Sequence, residues 1–363
     1  MALRPLLLLL LTCAIGLLAA APAGAAGPEL RGVQLHSLWW ESSNADMERE
    51  LDLARDAGAN VVRVDVSWSS LETGGRGRFS PWYVKKLDRF IEGAHRRGLK
   101  VLTTLLASPC WASSAPQSLR QGCSDDWWNR TEIHMYPPDE PRHYADAARW
   151  MTSRYGRKLA ALEIWNEPNL EGDRFWIAPD EPRAYAELLK ASYAAAKAGH
   201  PAVPVLAGAL AYGNDAWVRA LYAEGIKGHY DGLSLHPYNV GRPRAGAWSG
   251  IEWARRLQRQ AGDRAPLWLT EFGWSTCRPG SGWCVGRGNQ ARMIGAGFTA
   301  LKAEANVKAA IIYNLRDKGT SADSMEDNFG LVSRDFRPKA GYFALRRALR
   351  GGRAAKQSRR PSR

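Results

Sequence analysis

The sequence is poor in the residues that build metal and cofactor sites. Its 363 residues include 5 Cys and 7 His, with no Cys-x-x-Cys pair and no His-x-His pair. Zinc sites depend on such closely spaced ligands, so a structural zinc site and a metal-dependent hydrolase are both disfavoured. No glycine-rich phosphate-binding turn follows the first strand-like run, which argues against a dinucleotide-binding fold. We therefore expect no metal and no organic cofactor.

A second long hydrophobic run is also missing after the N-terminal segment. That segment has a basic residue, Arg4, an apolar stretch that starts at Leu6–Leu11, and the small residues Ala23-Gly24-Ala25. This order is typical of a cleaved signal peptide and favours one over residues 1–26 rather than a membrane anchor. Lipid attachment at Cys13 is disfavoured because a threonine precedes it. We expect a secreted or extracytoplasmic protein without an integral membrane span.

The cysteines outside this leader are even in number. They are Cys110, Cys123, Cys277 and Cys284. An even count in an exported chain indicates disulfides. The spacing favours two local bridges, Cys110–Cys123 and Cys277–Cys284, although four cysteines allow three pairings.

Acidic residues are fewer than basic ones, 36 against 50, which gives a net charge of +14. Such a charge can indicate nucleic-acid binding, but eight of the basic residues lie between Arg346 and Arg363, where no acidic residue occurs. We interpret residues 351–363 as a disordered basic tail and expect no nucleic-acid partner. The tail would either bind weakly to an anionic cell envelope or only aid solubility.

Between the leader and the tail, short apolar runs alternate with amphipathic segments. The eight strand candidates are Gly32–Leu38, Asn60–Val66, Lys100–Leu106, Ala161–Trp165, Val203–Ala207, Gly232–Leu235, Leu267–Thr270 and Ala309–Tyr313. Helical patterns separate them, often with Pro at the start and Gly after the end. Eight such units predict one α/β domain, a (β/α)8 TIM barrel over residues 28–350. An open doubly wound sheet is the alternative.

Two of the apolar runs end in a glutamate. They are residues 162–169, Leu-Glu-Ile-Trp-Asn-Glu-Pro-Asn, and residues 267–274, Leu-Trp-Leu-Thr-Glu-Phe-Gly-Trp. In a barrel of this type, the active site lies at the carboxyl ends of the strands. A buried glutamate is costly unless it has a partner or a function. Two carboxyl groups at strand ends are what the cleavage of a glycosidic bond requires.

Other polar and aromatic side chains are also placed at or near strand ends, and we expect them to bind the substrate. They are His36, Trp39, Arg63, Asn166, His236, Tyr238, Trp274 and Tyr313. The sequence has 16 Trp, and exposed indoles can stack on sugar rings. Most tryptophans are nevertheless buried, so core packing is the alternative for Trp39 and Trp274.

The motifs Asn166-Glu167-Pro168, His236-Pro237-Tyr238 and Thr270-Glu271-Phe272-Gly273-Trp274 resemble those of clan A retaining glycoside hydrolases. Within the clan, the pattern is most similar to family 39 and its relatives, and next to family 5. The resemblance extends over the whole barrel. It implies a retaining β-glycosidase that hydrolyses O-glycosidic bonds of a polysaccharide or oligosaccharide by double displacement.

Residue by residue, the resemblance makes Glu167 the general acid/base and Glu271 the nucleophile. Asn166 would bind the 2-hydroxyl of the sugar, Arg63 would lie beside Glu271, and His236 with Tyr238 would orient the two carboxyl groups.

The chain departs from the family at strand eight, where many members have a tryptophan. We expect Tyr313 or Trp274 to replace it.

Some structural alternatives stay open at this point. Arg63 could pair with Asp65, and Glu163 could compete with Glu167 as the acid, although it lies deeper and is better explained by a structural pair. A catalytically silent carbohydrate-binding barrel is the alternative function, and a monomer is the default assembly.

Overall fold

Eight parallel strands close into a barrel in which β1 pairs with both β2 and β8. The computed structural model describes residues 27–39, 41–121, 131–172, 175–238, 248–279 and 284–357. The strands are β1 Leu30–Leu35, β2 Val61–Ser67, β3 Lys100–Leu106, β4 Leu159–Ile164, β5 Val205–Ala211, β6 Gly232–His236, β7 Leu267–Phe272 and β8 Val307–Ile312. The predicted (β/α)8 fold is confirmed.

Helices follow the strands along the chain and surround the barrel. They are α1 Asn44–Ala57, α2 Trp68–Leu71, α3 Pro81–Arg96, α4 Gln117–Arg120, α5 Thr131–His134, α6 Pro141–Tyr155, α7 Glu181–Gly199, α8 Asp215–Ala223, α9 Ser249–Ala261, α10 Arg287–Leu301 and α11 Ala340–Gln357. Short 3-10 turns occupy Gly156–Lys158 and Glu326–Asn328. None of the described helices is long and apolar enough to cross a membrane.

Local sequence explains where α1 begins and ends and where α3 begins. Ser43 caps α1 by accepting a hydrogen bond from the backbone of Asp46, and Gly58 ends the helix with a positive φ of 90°. Ser80 caps α3 directly before Pro81, whose fixed φ suits the first helical turn. These are the proline and glycine signals that the sequence analysis used.

The last helix is longer than the sequence pattern predicts. It continues to Gln357, and residues 351–357, which we assigned to a disordered tail, are helical. The glycines at positions 351 and 352 do not end the helix, since alanines and basic residues follow them and favour a helix near its C-terminus. The remaining tail residues, 358–363, lie outside the described part of the chain.

One of the two predicted disulfides is present among the described residues. Cys277 and Cys284 are bonded, with their Cα atoms 5.0 Å apart, so a bridge closes the loop that follows β7. Cys110 is also disulfide-bonded, but its predicted partner Cys123 lies outside the described residues, as does the predicted signal peptide.

Two hydrophobic layers hold the fold together. The larger layer lies between the barrel and its helices, and a smaller one fills the lower part of the barrel with residues such as Val61, Leu102, Leu206 and Trp268. The indole of Trp268 crosses the barrel floor against β6. A Cβ atom at Gly232 would lie 2.4 Å from its Nε1 atom. The lack of a side chain at Gly232 therefore makes room for the indole of Trp268.

Gly232→Ala should reduce the free energy of unfolding by about 1–3 kcal/mol, because the added methyl group forces the packed indole of Trp268 to move. Gly295→Ala is the matched control. It lies inside α10 with no atom within 4 Å of an added Cβ, so it should be neutral or stabilising by about 0.5–1 kcal/mol. Urea denaturation of both variants measures the difference. Equal stability of the two variants would contradict this packing.

A buried acid on α1 makes stability depend on pH. Glu50 is 2% exposed, it accepts a hydrogen bond from the Ser37 hydroxyl, and one of its oxygens lies 3.8 Å from the Arg316 guanidinium. Burial raises the pKa of Glu50 to about 7, against the opposing effects of Ser37 and Arg316. Because the folded state keeps the proton longer than the unfolded state, this group's contribution to stability is full at low pH. It is lost as pH rises through about 7.

Glu50→Gln should remove this loss. We expect the variant to gain stability relative to the wild type as the pH is raised from 5 to 8, by about 2–3 kcal/mol. The gain is measured as a change in the difference between the two melting temperatures. Glu187→Gln, which changes a surface acid on α7, should follow the wild type at both pH values. Parallel curves for Glu50→Gln and the wild type would contradict the raised pKa.

Candidate active site

A cavity of about 850 Å³ opens at the carboxyl ends of the strands. Its lining includes Asn166, Glu167, His236, Tyr238 and Glu271. These residues come from the ends of β4, β6 and β7, so the barrel brings together side chains that are far apart in the sequence. This is the end of the barrel at which the sequence analysis placed the site.

The backbone after β4 is held in an unusual conformation that presents Glu167. Trp165 has a φ of 67° and Glu167 a φ of 45°, values that non-glycine residues rarely adopt. Both neighbouring strands fix this turn, because the backbone nitrogen of Trp165 donates to Leu105 at 3.0 Å and that of Glu167 donates to Ala209 at 3.1 Å. Strain of this kind persists where the surroundings enforce it, often at functional sites.

Glu271 accepts hydrogen bonds on both of its carboxyl oxygens. The Tyr238 hydroxyl donates to Oε2 at 2.8 Å, and the Arg63 guanidinium donates to Oε1. An ionised carboxylate is the form that accepts from both donors at once. The site therefore has one carboxyl group with a cation and a phenol as fixed partners.

Arg63 is the centre of this network and is fully buried. Besides Glu271, it donates to Glu163 at 2.9 Å, to Gln34 at 3.0 Å and to the Oδ1 atom of Asn166 at 3.0 Å. Glu163 also accepts from the Thr104 hydroxyl at 2.7 Å. The guanidinium thus links β1, β2, β4 and β7 at the centre of the barrel.

The charges in this network stabilise one another. Burial disfavours the charged form of Arg63, but Glu163 and Glu271 outweigh it and raise the pKa of the guanidinium further. Burial likewise acts to raise the pKa of Glu163, yet Arg63 and His236 more than offset it, so that the pKa is lowered. Glu163 is therefore an ionised structural partner of Arg63 and does not line the cavity, as its depth in the barrel predicts.

His236 lies between the two carboxyl groups of the cavity. Its Nδ1 atom is 2.7 Å from Oε1 of Glu167 and 3.7 Å from Oε2 of Glu271. Burial acts to lower the pKa of His236, but Glu271 and Glu167 raise it by more. One nitrogen that contacts both groups is consistent with the roughly 5–5.5 Å separation of a retaining pair.

Three more of the predicted residues line the cavity near β8 and β1. The rings of His36 and Trp39 are 4.0 Å apart, and those of His36 and Tyr313 are 5.6 Å apart. Burial, together with the charges of Lys318 and Arg63, holds the pKa of His36 well below its usual value. A neutral imidazole can both donate and accept hydrogen bonds.

Two predicted substrate contacts are not brought to the cavity. Trp274 is 3% exposed and packs against Phe272 and the α10 residue Gly297, on the outer side of the barrel. Arg63 lies beneath the cavity and is too buried to reach a sugar. The prediction that Trp274 and Arg63 contact the sugar is therefore wrong. Of the two residues expected to replace the family's strand-eight tryptophan, Tyr313 is the one that lines the cavity.

Sequence reasoning missed three charged residues that line the cavity. Asp65 was considered only as a partner of Arg63, and burial raises its pKa. Lys318 pairs with Glu326 at 3.0 Å, and its ammonium lies 5.1 Å from the ring centroid of Trp39. The alternation that places Arg63 in the barrel also places Asp65 on the same face, but no sequence signal marks the loop after β8. Among the described residues, no group of three or more His, Cys, Asp or Glu could hold a metal ion.

Residues 21–305 match the model of the family described as cellulase, glycosyl hydrolase family 5. A family 39 glycoside hydrolase from the gut symbiont Bacteroides cellulosilyticus WH2 has a similar fold, with 20% identity and a TM-score of 0.68 over 90% of this chain and 64% of that one. The chain therefore spans less than two thirds of that structure.

Two further solved structures show the same barrel. A GH5_18 protein from Streptomyces cattleya, in complex with GlcNAc, has 20% identity and a TM-score of 0.66 over 93% of this chain and 82% of that one. A GH39 enzyme from Xanthomonas axonopodis pv. citri has 20% identity and a TM-score of 0.61 over 91% and 67%. At this identity the likeness concerns the fold. No curated protein matches the sequence.

Arg63→Met should cost about 3–5 kcal/mol of unfolding free energy, since it leaves Glu163 and Glu271 buried without their cation. The deficit should be smaller at pH 5 than at pH 8, because the orphaned carboxyl groups take up protons in the folded state. Urea denaturation curves of the variant and the wild type at both pH values measure this difference in the free energy of unfolding.

The control is Arg76→Met, which breaks the exposed pair with Asp146. Exposed pairs contribute about 0–1 kcal/mol, so this variant should stay close to the wild type at both pH values. A comparable loss in the two variants would show that Arg63 is not the central partner.

Proposed function

The chain belongs to the cellulase family, glycosyl hydrolase family 5, and we propose that its retaining glycosidase reaction uses Glu167 as the acid/base and Glu271 as the nucleophile. The observation that carries this assignment is the difference between the two carboxyl groups. Glu271 accepts hydrogen bonds from a guanidinium and a phenol, whereas among the described residues Glu167 contacts the imidazole of His236. A nucleophile must be ionised, and an acid must be able to give up and regain a proton.

In the first step, a carboxylate oxygen of Glu271 attacks the anomeric carbon as the bond to the leaving oxygen breaks. Glu167 donates its proton to that oxygen, and the sugar becomes an ester of Glu271. In the second step, Glu167 removes a proton from a water molecule, whose oxygen displaces Glu271 from the anomeric carbon. Two inversions leave the configuration unchanged.

Asn166 is oriented for contact with the sugar by its neighbour below. Arg63 has donors only, so the amide atom that faces it must be the oxygen. The Nδ2 group of Asn166, a residue that lines the cavity, then points away from Arg63 and can donate to a sugar hydroxyl. The contact with the 2-hydroxyl that the family resemblance implies requires this orientation.

His236 and Tyr238 position the two carboxyl groups rather than react. The imidazole contacts both groups, and its raised pKa favours a proton on the nitrogen between them. Tyr238 holds Oε2 of Glu271. Both side chains thus fix the distance between acid and nucleophile, which catalysis depends on.

A location outside the cytoplasm is part of the proposal. The leader-like residues 1–26 and the bridge between Cys277 and Cys284 support it, because disulfides persist mainly in oxidising compartments. The basic residues of the C-terminal segment would add weak binding to an anionic envelope.

The two glutamates should respond differently to the leaving group. With 2,4-dinitrophenyl glycosides, whose leaving group needs no proton, Glu167→Gln should keep much of the rate of sugar transfer to the enzyme. With methyl glycosides, the rate of Glu167→Gln should fall by about 10²–10⁴-fold, and the rate of Glu271→Gln should fall by at least about 10³-fold with both kinds of glycoside. Burst kinetics and steady-state rates across a panel of β-glycosides measure these effects.

Glu171→Gln is the matched control, since its exposed carboxyl group lies four residues after Glu167. It should resemble the wild type on every substrate. If Glu271→Gln kept wild-type activity, or if Glu167→Gln lost the same factor on both kinds of leaving group, the assigned roles would be wrong.

A further inference from the structure

One side of the cavity is lined by apolar side chains. We call this surface the apolar wall. It consists of Leu106, Ala107, Met135, Leu170, Phe175, Ala211 and Tyr212. These residues belong to the ends of β3 and β5 and to the loops after β3, β4 and β5. Among the described residues of the wall, the phenol of Tyr212 is the one polar side-chain group.

The opposite side of the cavity carries charged groups. It is formed by residues from the ends of β1, β2 and β8 and from the loops after β1 and β8. Its apolar members are Leu38, Trp39, Met325 and Phe329, and its polar members are His36, Asp65, Tyr313, Lys318 and Glu326. These side chains offer both donors and acceptors to ring hydroxyls. Asp65, Lys318 and Glu326 thus lie on one side of the cavity, which we call the polar half, and the uncharged apolar wall lies opposite. Glu167, after β4, stands on the side of the wall, and Glu271, near the end of β7, stands next to the polar half.

The acid decides which half receives the leaving group. Because Glu167 must reach the leaving oxygen, the group attached to that oxygen starts at the end of β4. The apolar wall begins there, since the backbone nitrogen of Leu170 donates to the carbonyl of Glu167 at 3.1 Å. The sugar ring lies over Glu271, towards the polar half, so the leaving group lies along the apolar wall.

Hydrogen bonds tie the wall to the barrel. The backbone nitrogen of Ile177 donates to the carbonyl of Met135 at 3.0 Å, which joins the loops after β3 and β4. The indole of Trp165 donates to the carbonyl of Phe175 at 2.6 Å. The apolar surface is therefore held in place by the same turn that presents Glu167.

We propose that the leaving group of the substrate is apolar, an alkyl or lipid-like chain rather than a second sugar. This inference rests on the proposed function and narrows its substrate class. A second sugar would turn its hydroxyls towards leucine and methionine side chains and lose hydrogen bonds to water without replacement. An alkyl chain gains free energy with each methylene that it buries there. The leaving group thus differs from the sugar chain that the sequence analysis expected.

The test compares leaving groups on one sugar. The 4-nitrophenyl β-glycosides of glucose, galactose, mannose and xylose first identify the sugar that is hydrolysed fastest. The methyl and octyl β-glycosides of that sugar and its β-1,4-linked disaccharide are then compared, below the concentration at which octyl glycosides form micelles. We expect kcat/KM for the octyl glycoside to exceed both other values by about tenfold or more.

Variants of the wall show where the preference arises. Met135→Gln and Leu170→Gln should each reduce the ratio of octyl to methyl kcat/KM by about threefold or more, because an alkyl chain that packs on the new amide removes its hydrogen bonds to water. Phe343→Gln is the control, because Phe343 is an exposed aromatic residue on α11, remote from the cavity lining. It should leave the ratio unchanged.

The outcomes separate this inference from the proposed function. Hydrolysis of nitrophenyl glycosides with an equal or lower rate on octyl than on methyl glycosides, or with a preference for the disaccharide, overturns the apolar leaving group and leaves the glycosidase intact. No hydrolysis of any glycoside overturns both. An octyl preference that both wall variants keep in full would place its origin elsewhere and contradict the assigned wall.

Discussion

The contact between Arg63 and its carboxylate partners is the interaction on which the site depends. A guanidinium that is fully removed from water is costly unless charged acceptors surround it. Here Glu163 and Glu271 supply the charges, and Gln34 and Asn166 accept the remaining hydrogen bonds. The same contacts that stabilise the barrel centre fix the nucleophile and orient the amide of Asn166. Stability and catalytic geometry are therefore coupled at one residue.

The division of the cavity into two halves follows from the order of the strands. The strand that bears Arg63 and the strands that end in His36 and Tyr313 adjoin one another in the closed sheet. The strand that bears Glu167 stands between β3 and β5, and both contribute to the apolar wall. The acid thus stands among the apolar residues, whereas Glu271 is on β7, which pairs with β8 of the polar half. We infer that the glycosidic bond is cleaved between these two surfaces.

The barrel could be predicted because each of its strands is buried on both faces, which leaves apolar runs in the sequence. Strand ends were less certain, since β1 begins at Leu30 and β5 runs on to Ala211. Trp274 could not be placed by alternation from the start of β7. Trp268 lies inside the barrel, but the register of the strand shifts between Leu269 and Phe272. After this shift Glu271 faces the cavity, while Phe272 and Trp274, which have the same parity as Trp268, pack on the side of the helices.

Other features could not be predicted because they depend on contacts across the barrel. That Arg63 binds Glu163 rather than only Asp65 follows from the closure of the sheet, which no local pattern records. The pair of Lys318 and Glu326 lies in a loop without periodicity, and the positive φ of Glu167 is enforced by two neighbouring strands. Each of these features is set by tertiary structure, whereas the motif residues lie at strand ends that the sequence marks.

The measurement that tests the central claim most directly is the covalent capture of the nucleophile. A 2-deoxy-2-fluoro-β-glycosyl fluoride of the preferred sugar forms the glycosyl-enzyme ester and slows its hydrolysis, so peptide mass spectrometry can locate the sugar. Our account predicts one sugar per chain, attached to Glu271, with Glu163 unlabelled because Arg63 holds it below the cavity. A sugar attached to Glu163, Glu167 or Asp65, or inactivation without any covalent adduct, would contradict it.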